Sequence, residues 1–316
     1  MPEPGPGQAL TRTIYISLDP YQWGYKRRGV EPKGAPCHAR TVSQVVESRM
    51  DGYAPGDLVF NTSGWTEYGL MGEGVWRPDY MVPRKLDPAA LGRISYAVGV
   101  LGMLGLTAYA GMIVQCDPKP GETVVVSAAT GGVGQIAVQL ARERGCNVVG
   151  IASTGPKCIY LAQALRVASV SHLPEDFPQT LKEVCANGID VYFENVGGKV
   201  FDAVLPLFNP GARMTICGLI AHYGDTGDAR AALMAKGEAI FRERDVRVQD
   251  LFVGNYVNTH YDAMLAELGP LVRSGRIQYR EDIRQGLENV PAAFAEMLKG
   301  GNFGKMLVQV GEDPTL

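Results

Sequence analysis

No two of the six cysteines, at positions 37, 116, 146, 158, 185 and 217, stand as a C-x2-C pair, and their spacing is irregular. The usual sequence pattern of a structural zinc site is therefore missing. The nearest two, Cys146 and Cys158, flank a short β-prone run and read as buried thiols. A basic excess is also lacking: the net charge is −3, which argues against a general nucleic-acid binder. Uninterrupted apolar runs are scarce. The longest, residues 96–114, is broken by Gly99, Gly102, Gly105 and Gly111, so no membrane helix is expected. No secretory leader precedes the thiols, so a reducing, cytoplasmic setting is expected. Internal repeats and low-complexity tracts are absent too.

What remains is a chain of 316 residues, long enough for about two domains. Hydrophobic residues are 46% and charged residues 20%, which suits a sizeable core. The first nine residues, rich in Pro and Gly, read as a loop. Strands are expected at 12–18, 42–48 and 57–60, and up to about residue 93 the pattern is β-rich with little helical periodicity. From residue 96 the character changes. A helix is expected over 101–115, then buried strands at 123–127, 147–152, 190–193, 213–217 and 248–253. Helices at 133–143 and 157–165 alternate with them. The alternation implies a doubly wound parallel sheet with helices on both faces. The last fifty residues are expected to hold helices at 266–274 and 290–299 and a closing strand at 305–310. The domains expected are 1–95 with 260–316, and 96–259.

The central feature is the segment Ser127-Ala-Ala-Thr-Gly-Gly-Val-Gly134. A buried strand enters these glycines and an amphipathic helix leaves them, as a dinucleotide site requires. Gly131 would allow a sharp turn and Gly134 a close packing of helix on strand, with the helix N-terminus facing a pyrophosphate. The bland alternative is an ordinary βα turn. Cofactor choice is read at the end of the next strand, about 20 residues on, where NAD sites place an acidic residue. Here stand Ser153, Thr154 and Lys157. The reading is NADP(H), with Lys157 on the 2′-phosphate; the alternative is a solvated lysine.

Seven segments, in order along the chain, carry a resemblance. They are Ser17-Leu-Asp-Pro-Tyr, Val45-Val-Glu-Ser, Gly102-Met-Leu-Gly-Leu-Thr-Ala-Tyr, Ala128-Ala-Thr-Gly-Gly-Val-Gly, Asp190-Val-Tyr-Phe-Glu-Asn-Val-Gly-Gly, Cys217-Gly-Leu-Ile-Ala-His-Tyr and Asn302-Phe-Gly-Lys. The chain resembles the zinc-independent medium-chain dehydrogenase/reductases, within them the prostaglandin reductase and 2-alkenal reductase group. The resemblance implies a central Rossmann domain and a β-rich GroES-like domain formed from both chain ends. It places Thr107 near the nicotinamide, Lys157 at the 2′-phosphate, and Asn195 and Asn302 on the cofactor. It also places Tyr223 by the nicotinamide ribose, the backbone of Phe252 and Val253 near the nicotinamide, and Tyr21 in the substrate pocket. His172 stands where the family often has a tyrosine near the adenosine phosphate. Other departures are Leu104 for a usual proline, residues 224–232 in place of a proline-rich loop, and a start about 30 residues later than the family's, so that a first strand or hairpin is expected to be missing.

A Lewis acid needs converging Cys and His ligands. Only Cys37-His38 are adjacent, with no evident third ligand, so no metal is expected. The function expected is therefore NADPH-dependent reduction of the C=C bond of an enone or enal. Hydride reaches the β-carbon, and the enolate oxygen is stabilised by Tyr223 and the ribose 2′-OH. Tyr223 is preferred to its neighbour His222, which is expected to matter less, and the alternative for Tyr223 is a packing residue. Asp19, before Pro20, is read as fixing a turn, Glu194 as structural, and His260 as a surface residue at a helix start. Quinone or ketone reduction, and non-catalytic NADPH binding, remain open. The partners expected are a small-molecule substrate and a second copy of the chain, paired through the strand at 248–253, with neither nucleic acid nor membrane.

Overall fold

The computed structural model describes all of residues 1–316. The chain divides into two compact units, Met1–Met103 with Arg280–Leu316, and Leu104–Tyr279. The second boundary lies at 279/280 rather than 259/260, because one continuous helix runs over Val257–Arg273.

The first unit begins with β1 (Gln8–Ser17), α1 (Tyr21–Arg28), β2 (Thr41–Ser48), β3 (Leu58–Asn61), β4 (Tyr68–Gly72), β5 (Arg84–Lys85) and α2 (Pro88–Leu91). β1 starts earlier than expected, since Ala9 and Leu10 are buried and pair with both β2 and β4. The helix α1 was not expected from the sequence, because it has no apolar stripe: Gln22 is its only buried residue. Its stop signals are clear in retrospect, with Lys26, Arg27 and Arg28 in the last turn and Gly29 in the left-handed region at φ 61°.

The second unit opens with α3 (Met103–Tyr109), which continues as a π-helical turn over Ala110–Cys116. Then follow β6 (Thr123–Val126), α4 (Gly134–Glu143), β7 (Asn147–Ala152), α5 (Gly155–Gln163), β8 (Ala168–Ser171), α6 (Phe177–Val184) and β9 (Ile189–Glu194). After them come α7 (Gly198–Val204), β10 (Phe208–Ile216), α8 (Ala229–Glu243), β11 (Arg247–Asp250) and α9 (Val257–Arg273). The six strands form one parallel sheet in the order β11-β10-β9-β6-β7-β8. The central strand β6 is buried along its whole length, which explains its unbroken apolar sequence. The chain winds outward from β6 to β8, then returns to β9 and winds to β11. The switch in direction lies between β6 and β9.

Three expectations in this unit need correction. The last strand covers Arg247–Asp250 only; Leu251 follows, and Val253–Tyr256 form a single 3-10 turn. Residues 229–232, expected in a loop, are the first turn of α8, capped by the Asp228 carboxylate on the amides of Arg230 and Ala231. Helix α9 begins well before residue 266, with Pro270 inside its last turns.

The chain then re-enters the first unit with β12 (Glu281–Gln285), α10 (Val290–Leu298) and β13 (Lys305–Gln309). The sheet of this unit has seven strands, in the order β12-β13-β1-β2-β3-β5 with β4 also on β1. All pairings are antiparallel except β12 with β13. β13 lies directly against β1, so both chain ends build one sheet. α10 packs with Ile16, Leu18, Met306 and Val308 in one apolar cluster.

Candidate functional site

In a parallel sheet the strand ends of one edge share their loops, and ligands gather where the winding switches. The carboxyl edge of this sheet holds nine of the twelve residues expected at the site. Gly131 and Gly134 follow β6, Ser153 and Lys157 follow β7, and His172 follows β8. Asn195 follows β9, Tyr223 follows β10, and Phe252 and Val253 follow β11. Thr107 lies half-buried on α3 of the same unit. Tyr21 and Asn302 belong to the other unit.

The glycine loop has the shape a dinucleotide needs. A Cβ on Gly134 would lie 2.3 Å from the Ala128 carbonyl oxygen and 2.9 Å from the Ala129 Cα, so only glycine lets α4 come this close. The sharp turn is made differently from the expectation. Gly131 does not have a positive φ; Ala128 does, at 46°, and its carbonyl accepts the Gly131 amide at 2.9 Å. A non-glycine residue in this region stores strain, as loops at ligand sites often do. The amides of Gly132 and Val133 make no hydrogen bond within the chain, and they precede a ten-residue helix. Two such donors at the positive end of the helix dipole fit a pyrophosphate.

Ser153 and His172 are brought together at the next two strand ends. The Ser171 hydroxyl donates to the Ser153 carbonyl at 2.7 Å, and the His172 amide to the Ala152 carbonyl at 3.0 Å. Burial holds the His172 imidazole below its usual range, and the positive charges of Lys199 and Lys157 press in the same direction. Its Nδ1 is buried without a partner. Lys157 and Lys199 thus converge electrostatically on one imidazole, a setting for a phosphate dianion. Lys199 escaped the sequence reading; its only signal is its place directly after Gly197-Gly198.

At the switch point the Asn195 amide donates to Ser127 Oγ at 2.7 Å and its side chain to the Ser127 carbonyl at 2.7 Å. Glu194 is fully buried behind them. One of its oxygens, Oε1, accepts from Ser127 Oγ at 2.8 Å and from the amides of Val196 at 2.6 Å and Gly197 at 3.0 Å. Burial raises its carboxyl pKa. It ties β6, β9 and the start of α7 into one rigid corner.

Tyr223 ends a tight turn after β10. The amides of Ile220 and Ala221 donate to the carbonyls of Asn195 and Val196 at 3.1 and 3.0 Å, which lays this turn against the corner. The Tyr223 hydroxyl folds back over Gly218, 3.4 Å from where a Cβ would stand there. His222 points elsewhere: its Nε2 meets the Gly198 amide at 3.1 Å and its Nδ1 the Asp225 carboxylate at 2.8 Å. Phe252 is 52% exposed, a large apolar ring on the same edge.

In the first unit Tyr21 is the first residue of α1, and its hydroxyl pairs with His38 Nε2 at 2.9 Å. Tyr25 stacks on His38, and Trp76 meets it edge-on. Burial brings His38 down to about 4, with the neighbouring Arg40 charge adding to the effect, so the ring is neutral near pH 7. Asp19 does more than fix a turn. It is buried, bound by Arg40 at 2.7 Å, Lys305 at 2.9 Å and the Ser17 hydroxyl at 2.6 Å. These bonds join the segment before Tyr21 to the segment after Asn302. The Asn302 side chain donates to the Gly304 carbonyl at 2.7 Å.

Two family models match the chain: an N-terminal domain of oxidoreductases over residues 1–76, and one described as zinc-binding dehydrogenase over 132–268. The NADPH-dependent curcumin reductase of Escherichia coli (strain K12) is 40% identical, over 98% of this chain and 90% of that protein. This chain belongs to the zinc-independent medium-chain dehydrogenase/reductases, in the group of the curcumin, prostaglandin and 2-alkenal reductases. Within that family the 2-alkenal reductase (NADP(+)-dependent) of Nicotiana tabacum is 33% identical, over 98% of this chain and 89% of its own. The crystal structure of CurA in complex with NADPH, from Vibrio vulnificus, superposes with a TM-score of 0.84 at 37% identity, covering 99% of this chain and 93% of that one. The description of the second model raises zinc. The residues do not fit it, since no three His, Cys, Asp or Glu side chains converge, and Cys37 and His38 find no third ligand. No helix is long and apolar enough to cross a membrane.

Proposed function

We propose that this protein is an NADP(H)-dependent ene reductase, reducing the C=C bond of α,β-unsaturated aldehydes or ketones. Bound NADPH would supply the hydride, delivered to the β-carbon. Gly131 to Gly134 and the start of α4 would hold the pyrophosphate, and Lys157, with His172 and Lys199, the 2′-phosphate. The rigid corner of Ser127, Glu194 and Asn195 would keep the loops after β6 and β9 in register with them.

The chemical step asks one thing of the side chains: a donor to the carbonyl oxygen as negative charge collects there. Tyr223 is the phenol laid beside the Asn195 corner, and it is the single observation that carries the reading, because a hydroxyl suffices to stabilise an enolate. The hydroxyl donates to the enolate oxygen, and water protonates the α-carbon. Within the first unit, Tyr21 offers a hydroxyl fixed by a neutral His38.

The test is NADPH oxidation with an enone, an enal, a quinone and a saturated ketone, with products identified. The expected product of the enone is the saturated ketone. An allylic alcohol, or turnover of the quinone alone, would sink the reading.

A further inference from the structure

We propose that His222 is the positioning residue for Tyr223, acting as a neutral imidazole protonated on Nδ1 that clamps the turn after β10 onto the start of α7. The inference rests on the reading that Tyr223 faces the substrate oxygen.

The segment entering α7 presents the amides of Val196, Gly197 and Gly198 to the corner. Glu194 takes those of Val196 and Gly197, which leaves Gly198. An N–H facing Nε2 at 3.1 Å requires a lone pair there, so Nε2 is bare. The proton is then on Nδ1, and it donates to the Asp225 carboxylate at 2.8 Å. Both ring nitrogens are thus committed, and neither is left for a substrate. The ring is also held by shape. Gly197 has φ 76°, and a Cβ there would lie 2.8 Å from the His222 Cδ2.

The consequence reaches Tyr223 through the backbone. His222 accepts the Asp225 amide on its carbonyl at 3.0 Å, while its ring holds the Asp225 side chain, so the turn is closed twice around it. Asn195 and Val196 anchor the turn before His222, and Gly198 anchors it at His222. Tyr223 is the next residue. Without the clamp the turn keeps only its first anchor, and the phenol loses its fixed place over Gly218.

The test uses His222→Phe, which keeps a ring without an acceptor, and His222→Gln, whose side-chain oxygen can still accept from Gly198. His222→Phe should lower kcat on an enone by about 10-fold, the low end of the loss expected for Tyr223→Phe because it misplaces the hydroxyl without removing it, with NADPH affinity unchanged. His222→Gln should restore most of it. Placed on Tyr223→Phe, His222→Phe should cost nothing further, because it acts only through the hydroxyl. Amide exchange without cofactor gives an independent readout: the Gly198 amide and residues 219–225 should exchange faster in His222→Phe than in the parent or His222→Gln. Unchanged exchange overturns the clamp, whether or not the parent reduces enones. An additive loss on the Tyr223→Phe background overturns the positioning role. A parent inactive on every enone would instead overturn the ene-reductase reading, and exchange would still decide the clamp.

Discussion

Lys157 stands in the first turn of α5, where no carboxylate competes with a 2′-phosphate, and its charge reaches His172. Lys157→Ala should weaken NADPH binding and leave NADH nearly unchanged. Equal losses for both, by titration, would show that the lysine does not read the phosphate. Tyr223→Phe keeps the ring but removes the donor. An oxyanion donor acts in the transition state, so its loss should appear in kcat more than in KM. Because the ribose hydroxyl would remain, about 10-fold to 100-fold is expected rather than the full ~10²–10³ of a lost oxyanion donor. Steady-state kinetics on one active enone checks this, and an undiminished kcat would remove Tyr223 from the mechanism.

Among the elements, the glycine loop makes the sharpest demand on sequence. Gly134→Ala would press a Cβ against the Ala128 carbonyl and force α4 away from β6. A loss of roughly 1–3 kcal/mol is expected, with weaker NADPH binding. A variant melting like the parent and binding NADPH equally would show that the approach is not needed. This loop was legible because its chemistry is local: a buried strand, glycines and an amphipathic helix within twenty-odd residues, about the length of a βαβ half-unit. α1 was not legible, since helix 21–28 buries a glutamine and no apolar stripe. Nor was α8, whose buried residues Leu233, Gly237 and Phe241 are spaced helically but begin beyond residues read as a loop. The site divides the same way. Gly134 and Lys157 follow from position along the chain. The His222, Gly198 and Asp225 contacts, and the Asp19, Arg40 and Lys305 cluster, join segments that only the folded sheets bring together.

At the scale of the whole molecule, the parallel sheet ends in β11, whose outer edge is unpaired. This strand was expected to be apolar. It is Arg-Val-Gln-Asp, so avoidance of an aggregating apolar edge no longer argues for a dimer, and the family resemblance alone supports one. Light scattering should give about twice the 34.0 kDa chain mass, and a monomer mass at micromolar concentration would refute it. The melting profile offers a test with a definite sign. Burial lifts Glu281 to about 7, against 4.5 for the free side chain. One oxygen accepts from the Ser95 hydroxyl at 3.0 Å, and the other is buried without a partner, so the protonated form suits the site. The folded state therefore binds a proton that the unfolded chain has released between about pH 4.5 and 7. That contribution is fully present below pH 4.5 and is lost as pH rises through 7. His38, lowered to about 4, works oppositely: its contribution is present above 6.5 and lost as pH falls through 4. The parent's own profile mixes the two, but the difference between Glu281→Gln and the parent isolates one. Glutamine cannot ionise, so relative to the parent the variant should gain stability steadily from pH 5 to 7.5, by roughly 3 kcal/mol at most. Denaturant titrations at four pH values in that range measure it. A difference that stays flat with pH would mean that Glu281 titrates alike in the folded and unfolded chain.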